Sequence, residues 1–306
     1  MAVAFQLEIN QMPVRRKSFS TTQRLAVIGD PISHSLSPLM QNFLIAHFDL
    51  PFQYEALRVS MNELPAVIAR LRRGEFAGVN VTIPHKQAII PLLDDLDEGA
   101  QRIGAVNTVI SSNGVLLGHN TDVIGFQRTL ESAGINVAEE EVLVLGAGGA
   151  AAAVLFSLLD MCAGVIYLSN RDPARAQRLR EIFSGEEQER IRMISWAERL
   201  ELLQMPAVSI IINATSLGML PNVAASPLPA SAFRPDVTAI DLVYNPYETK
   251  FLREAKQAGA KTVPGLPMLI YQGVAALELW NKQKLAIAEV HNLLERKLTA
   301  TLQSQK

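Results

Sequence analysis

Two residues in the first half of the chain are the best candidates for proton transfer. Lys86 ends the stretch Asn80-Val-Thr-Ile-Pro-His-Lys, and Asp122 ends His119-Asn-Thr-Asp. A positioned ammonium can give a proton to a developing alkoxide and stabilise its charge, while a carboxylate beside it orients it. The same residues also fit a plainer account, an ordinary surface lysine and an aspartate capping a helix. Further along, Gly146, Gly148 and Ala151 match G-x-G-x-x-A directly after the apolar run Val142 to Leu145. Glycine there permits a tight turn and close approach of backbone amides to phosphate, and the pattern between strand and helix points to a dinucleotide pyrophosphate. A closely packed Gly/Ala helix start is the bland alternative. At the end of the next strand stand Asn170 and Arg171, with Arg175 one helical turn on. Basic groups at that point accommodate the 2′-phosphate of NADP, whereas an acid bonds the ribose of NAD. Asp172 therefore argues for NAD, unless it only caps a helix beginning at Pro173.

Other chemistries find no residues to carry them. His34, His47, His85, His119 and His291 are scattered without metal-ligand spacing, and no G-x-S-x-G nucleophile elbow is present, so neither a metal centre nor a serine hydrolase is expected. A net charge of −2 without a dense Lys/Arg cluster gives no footprint for nucleic acid, and a small-molecule substrate is the expected partner. The single Cys162 excludes an intramolecular disulfide. Its apolar neighbours predict a buried, inert thiol, in keeping with a reducing, cytoplasmic compartment. Arg15, Arg16 and Lys17 precede Ser and Thr rather than an apolar segment, so residues 1–23 read as a flexible extension, not a secretory signal. Val142 to Leu159 is uncharged and long enough to span a membrane, but three glycines near its start and Asp160 after it favour a buried strand, turn and helix.

The elements that must position these groups follow a repeated strand-helix pattern. Strands are predicted around Leu25 to Gly29, Phe52 to Val59 and Phe76 to Ile83, with helices from Pro38, where Ser37 would be the N-cap, and over Met61 to Arg73. Asn113-Gly114 marks a hairpin within Ala105 to Leu117, and a helix over Val123 to Ala133 would be capped by Thr121 or Asp122. A second series has strands at Val142 to Leu145, Val165 to Leu168, Val208 to Ile212, Thr238 to Leu242 and Lys261 to Val263. Alternation of this kind implies an α/β fold with mainly parallel sheets. Two last helices, about Met268 to Trp280 and Ala286 to Leu302, have no following strand and are expected to pack back on the first half. The chain thus reads as two-lobed: an N-terminal α/β substrate domain of residues 24–122 plus 265–306, and a Rossmann-type dinucleotide-binding domain of residues 123–264.

An ordered series of motifs resembles the shikimate dehydrogenase family. It comprises Ser35-Leu-Ser-Pro38, Asn80 to Lys86, Gly104-Ala-Val-Asn-Thr108, Asn120-Thr-Asp122, Gly146-Ala-Gly-Gly149, Asn170-Arg171, Asn213 to Met219, Asp241-Leu-Val-Tyr244 and Gly265 to Gln272, and it covers about Leu25 to Trp280. The resemblance implies reversible NADP-linked reduction of 3-dehydroshikimate to shikimate, in aromatic amino-acid biosynthesis, with Lys86 and Asp122 as the catalytic pair. It further implies that Ser35, Ser37, Thr82, Asn107, Tyr244 and Gln272 bind the substrate. Gly146, Ala147, Gly148, Gly149, Ala150, Asn170, Arg171, Arg175, Thr215, Leu242, Gly265 and Met268 would line the cofactor side. Short hydroxyls and amides suit a polyhydroxylated acid, because each can donate and accept.

The chain departs from the common family pattern at Asp172, at Val123, where Gly usually follows Asn-Thr-Asp, and at Pro267. Asp172 keeps open an NAD-using quinate/shikimate or aminoshikimate dehydrogenase. A catalytically inactive nucleotide-sensing regulator is a reading from another class, and it predicts loss of Lys86 or Asp122, both of which are present. The expected assembly is a monomer or homodimer.

Overall fold

The computed structural model describes residues 22–33, 35–204 and 206–304, so the expected extension lies outside the described residues up to position 21. Its frame is two six-stranded sheets. Strands β1 (Gln23–Gly29), β2 (Phe52–Arg58), β3 (Gly78–Val81), β4 (Asp95–Leu96), β5 (Thr108–Ser112) and β6 (Val115–His119) form the first, in the order β2-β1-β3-β5-β6-β4. Leu25 and Val27 point into one core and Ala26 and Ile28 into another, because successive side chains of a strand alternate between faces and both faces are covered. β5 and β6 form the hairpin, with Asn113 and Gly114 at φ 52° and 81° as its tight turn requires. β5 is antiparallel to both β3 and β6, so β3 and β6 run the same way. Their C-terminal ends lie on one side of the sheet, and the segments that leave them carry Lys86 and Asp122.

The second sheet is parallel throughout: β7 (Glu141–Leu145), β8 (Ile166–Ser169), β9 (Ile191–Ile194), β10 (Val208–Asn213), β11 (Thr238–Asp241) and β12 (Lys261–Val263), in the order β12-β11-β10-β7-β8-β9. Val142 and Val144 face one core and Leu143 and Leu145 the other. The chain winds outward in opposite directions from β7 and β10, and the crevice at such a reversal is where open α/β sheets bind ligands. The helix Gly149–Asp160 follows β7 directly. The uncharged run from Val142 is therefore a strand and a helix, and among the described residues no helix is long and apolar enough to cross a membrane.

The helices Leu266–Asn281 and His291–Ser304 return to the first sheet, where Ile270, Val274, Trp280, Leu294 and Leu298 join the core of Leu25 and Val27. The first of them also lies against Asp122–Ser132. At Gly125 a Cβ would come within 2.7 Å of the Gln272 Cβ, so the two helices touch almost backbone to backbone. Several expectations need correction. β4 and β9 were not predicted. The last helix starts at His291, and Cys162 is exposed rather than buried, because it sits in a left-handed turn (φ 58°) just after the helix Gly149–Asp160.

Candidate active site

Lys86 leaves β3 on the four-residue helix His85–Ala88. Two bonds hold that helix: buried His85 pairs through Nε2 with the Val59 carbonyl at 2.6 Å, and the Lys86 carbonyl accepts the Val106 N–H at 2.8 Å. Asp122 opens the helix Asp122–Ser132, but neither it nor Thr121 caps the helix with its side chain. Asn120 takes that part, its Oδ1 accepting the Asp122 N–H at 3.0 Å, which leaves the Asp122 carboxylate free. One carboxylate oxygen accepts from Lys86 Nζ, and the other accepts from Asn107 Nδ2 at 2.8 Å. The two charged side chains are only 19% and 8% exposed, so this is a shielded, hydrogen-bonded ion pair and not a surface lysine beside a helix cap.

The other expected substrate residues make no hydrogen bond to this pair in the structure, and each is held by its own local contacts. Ser37 is the first residue of the helix Ser37–His47 rather than its cap, and Ser35 Oγ accepts its N–H at 3.2 Å. Thr82 lies over Gly29, where a side chain would collide with its methyl group. Tyr244 comes from the loop after β11 yet packs on the core of the first sheet, and burial pushes its phenol pKa up. Gln272 turns its amide along its own helix, donating to the Leu269 carbonyl at 2.8 Å.

On the other wall, Gly146 has φ 117°, and a Cβ there would lie 2.7 Å from the Ala214 carbonyl oxygen, so only glycine fits. Space is open at Gly148, which precedes a helix with no side-chain cap and no acidic residue in its first turn. The unpartnered first-turn amides and the positive end of the helix dipole suit a phosphate, as does the glycine cradle that leads to them. The lobes meet here: a Cβ on Gly149 would lie 3.5 Å from Lys86 Cδ. Asp172 does cap the helix Pro173–Arg180, accepting the N–H groups of Ala174 (3.0 Å) and Arg175 (3.4 Å), while Arg171 and Arg175 stay exposed. Thr215 donates its hydroxyl hydrogen to Asn213 Oδ1 at 2.7 Å, and Gly265 lies against the Leu242 carbonyl.

Sequence reasoning gave no role to Asn80, Asn120, Asn213 or Asp241. Asp241 is fully buried and joins three segments, accepting from Asn213 Nδ2, the Val243 N–H and the Thr249 hydroxyl. Burial pushes its carboxyl up to about pH 7 against the pull of those three donors. A polar residue inside an otherwise apolar strand, as at Asn80 and Asn213, was the signal that could have found them.

The model of the shikimate dehydrogenase substrate-binding domain matches residues 27–109, and that of the shikimate/quinate 5-dehydrogenase matches residues 128–220. The chain is 42% identical over 282 residues to shikimate dehydrogenase (NADP(+)) of Moorella thermoacetica, covering 92% of this chain and 96% of that one. The enzyme of the same name from Geobacillus kaustophilus is 45% identical over 258 residues, covering 84% and 92%. Among solved structures, shikimate 5-dehydrogenase of Thermus thermophilus in complex with NADP(H) and shikimate superposes with a TM-score of 0.79 at 40% identity, covering 90% of this chain and 99% of that one.

Proposed function

The chain belongs to the shikimate dehydrogenase family, and on that footing we propose that Lys86 and Asp122 carry the proton transfer of its reaction. That reaction is the reversible NADP-dependent reduction of 3-dehydroshikimate to shikimate. The observation that supports the assignment is the shielded Lys86–Asp122 pair facing Gly149. NADP, when bound, supplies or receives the hydride. Lys86 Nζ gives a proton to the oxygen formed from the carbonyl and takes it back in the oxidative direction, and its charge stabilises that oxygen in between. Asp122 holds the ammonium in place, and Asn107 holds Asp122.

Ser35, Ser37, Thr82, Asn107, Tyr244 and Gln272 take the substrate's carboxylate and hydroxyls. Gly146 to Ala150 and the first turn of the following helix take the pyrophosphate, Arg171 and Arg175 the 2′-phosphate, and Thr215, Leu242, Gly265 and Met268 complete that wall. Asp172 is accounted for as a cap, its Oδ1 holding the backbone amides of Ala174 and Arg175. The substrate lobe is residues 24–122 with 265–306, and the cofactor lobe is 123–264. The enzyme works in the cytoplasm as a monomer or homodimer.

Lys86→Ala tests the assignment. Removing a positioned acid or base lowers turnover by about two to four orders of magnitude, and that drop is expected here with the KM for NADP little changed. Near-normal turnover in a folded Lys86→Ala variant would remove Lys86 from the chemistry.

A further inference from the structure

Asn80 is a buried amide in the middle of β3, where its carbonyl oxygen and both its hydrogens need partners. Its Nδ2 donates to the Asn107 backbone carbonyl (3.3 Å) and to Thr108 Oγ1 (3.0 Å), and its Oδ1 accepts from the Tyr54 hydroxyl at 2.6 Å. Thr108 Oγ1 in turn donates to Asn107 Oδ1 (3.0 Å), and Asn107 Nδ2 donates to Asp122 Oδ1 (2.8 Å). Thr121 Oγ1 joins from the side, accepting from Asn107 Nδ2 at 3.0 Å.

Backbone groups fix which way both amides face. A carbonyl can only accept, so the side of the Asn80 amide facing the Asn107 carbonyl must be its NH2. A backbone N–H can only donate, and the Thr121 N–H lies 2.8 Å from the Asn107 side chain, which must therefore present its oxygen there. Thr108, already accepting from Asn80, gives its one hydrogen to Asn107 Oδ1 at 3.0 Å, the nearer of two acceptors, with Thr121 Oγ1 at 3.4 Å. Tyr54 has one hydrogen, and it goes to Asn80. Each donor from Tyr54 to Asp122 thus points toward the carboxylate, and hydrogen bonds aligned in this way polarise one another. Tyr54 reaches this chain from β2, across β1, and is 3% exposed beside Trp280. Burial raises its phenol pKa well above the ordinary value, so at neutral pH it keeps the hydrogen it donates.

We propose that Tyr54 and Thr108 are positioning residues for the Lys86–Asp122 pair, acting through this one-way chain beneath the cleft. The proposal rests on the assignment of proton transfer to that pair. The chain is not a proton relay, since two of its links are amides; it fixes where the Asp122 carboxylate stands and how strongly it is polarised.

The test uses Tyr54→Phe and Thr108→Val, singly and together, in the full-length enzyme with shikimate and NADP. Each single change is expected to lower kcat about tenfold, the effect of weakening a polarised chain, while the KM for NADP stays within about twofold. Because both break the same chain, the double variant should also lose about tenfold rather than the hundredfold of independent sites. Thr108→Ser, which restores the hydroxyl, should recover most of what Thr108→Val loses. Wild-type kcat in both single variants beside an inactive Lys86→Ala overturns the chain alone and leaves the proton-transfer pair standing. Multiplying losses in the double variant also overturn it, as does a loss that tracks a lower melting temperature and is not restored by Thr108→Ser.

Discussion

At the scale of single residues, the cofactor question turned on which way one carboxylate faces. Asp172 could have opposed a 2′-phosphate, but its Oδ1 is occupied by the amides of Ala174 and Arg175. Two expectations follow from a capping role. Asp172→Ala should cost about 1 kcal/mol, seen as a lower melting temperature, whereas Asp172→Ser should cost only a few tenths, since serine caps nearly as well. In both variants the ratio of kcat/KM for NADP to that for NAD should stay within about twofold, because the charge removed is turned toward the helix. A clear rise in NADP preference in Asp172→Ser would show that the carboxylate also faces the ribose. Such a distinction was not available from residue types, since an aspartate before proline looks the same in either role.

At the scale of elements, strands buried on both faces were legible, whereas two of the four edge strands, β4 and β9, were not. β1, β7, β10 and β11 are built on apolar runs, Leu25 to Ile28, Val142 to Leu145, Ile210 to Ile212 and Ala239-Ile240, whose residues have nowhere to go but two cores. β9 carries Arg192 and Met193 at the sheet edge, where charge protects an unpaired side and blurs the pattern, and β4 is only two residues long. Tertiary pairing makes both. The Lys86–Asp122 pair was legible as residue types in sequence, but the chain behind it was not, because Tyr54, Asn80 and Thr108 meet only once four strands are in register. The spacing of helices was equally hidden. Gly125→Ala would place a methyl group 2.7 Å from the Gln272 Cβ and 3.1 Å from the Met268 carbonyl, so the helix Leu266–Asn281 must move by roughly 1 Å to restore contact distances. Overpacking costs about 1–3 kcal/mol, more than the roughly 1 kcal/mol that alanine gains in helix propensity. The variant should therefore melt lower than the wild type, and, with Gln272 in the substrate-holding role proposed for it, the KM for shikimate should rise several-fold as Gln272 moves with its helix. A higher melting temperature with unchanged KM would show that the two helices separate freely.

At the scale of the whole molecule, the two sheets turn their strand ends toward one cleft, and each wall is secured from within by a buried acid. On the first wall that acid is Asp122, paired with a cation. On the second it is Asp241, which has only neutral donors and joins the segments that begin at Asn213, Val243 and Thr249. The difference has a global consequence. With its carboxyl raised from the ordinary value of 3.8 to about 7, Asp241 keeps its proton in the folded chain over a range in which the unfolded chain has lost it. The folded state then binds more protons than the unfolded state, so stability falls as pH rises. The contribution is fully present below about pH 4 and is lost as pH climbs to 7. Three pKa units correspond to roughly 4 kcal/mol, an upper figure for the loss from this one group. Denaturant unfolding between pH 4 and 7 should show that decline in the wild type and a slope flatter by this amount in Asp241→Asn, even though the amide lowers stability overall by mismatching the Thr249 hydroxyl. Parallel slopes in the two proteins would mean that the three donors keep Asp241 ionised throughout, and that both walls of the cleft are held by charge.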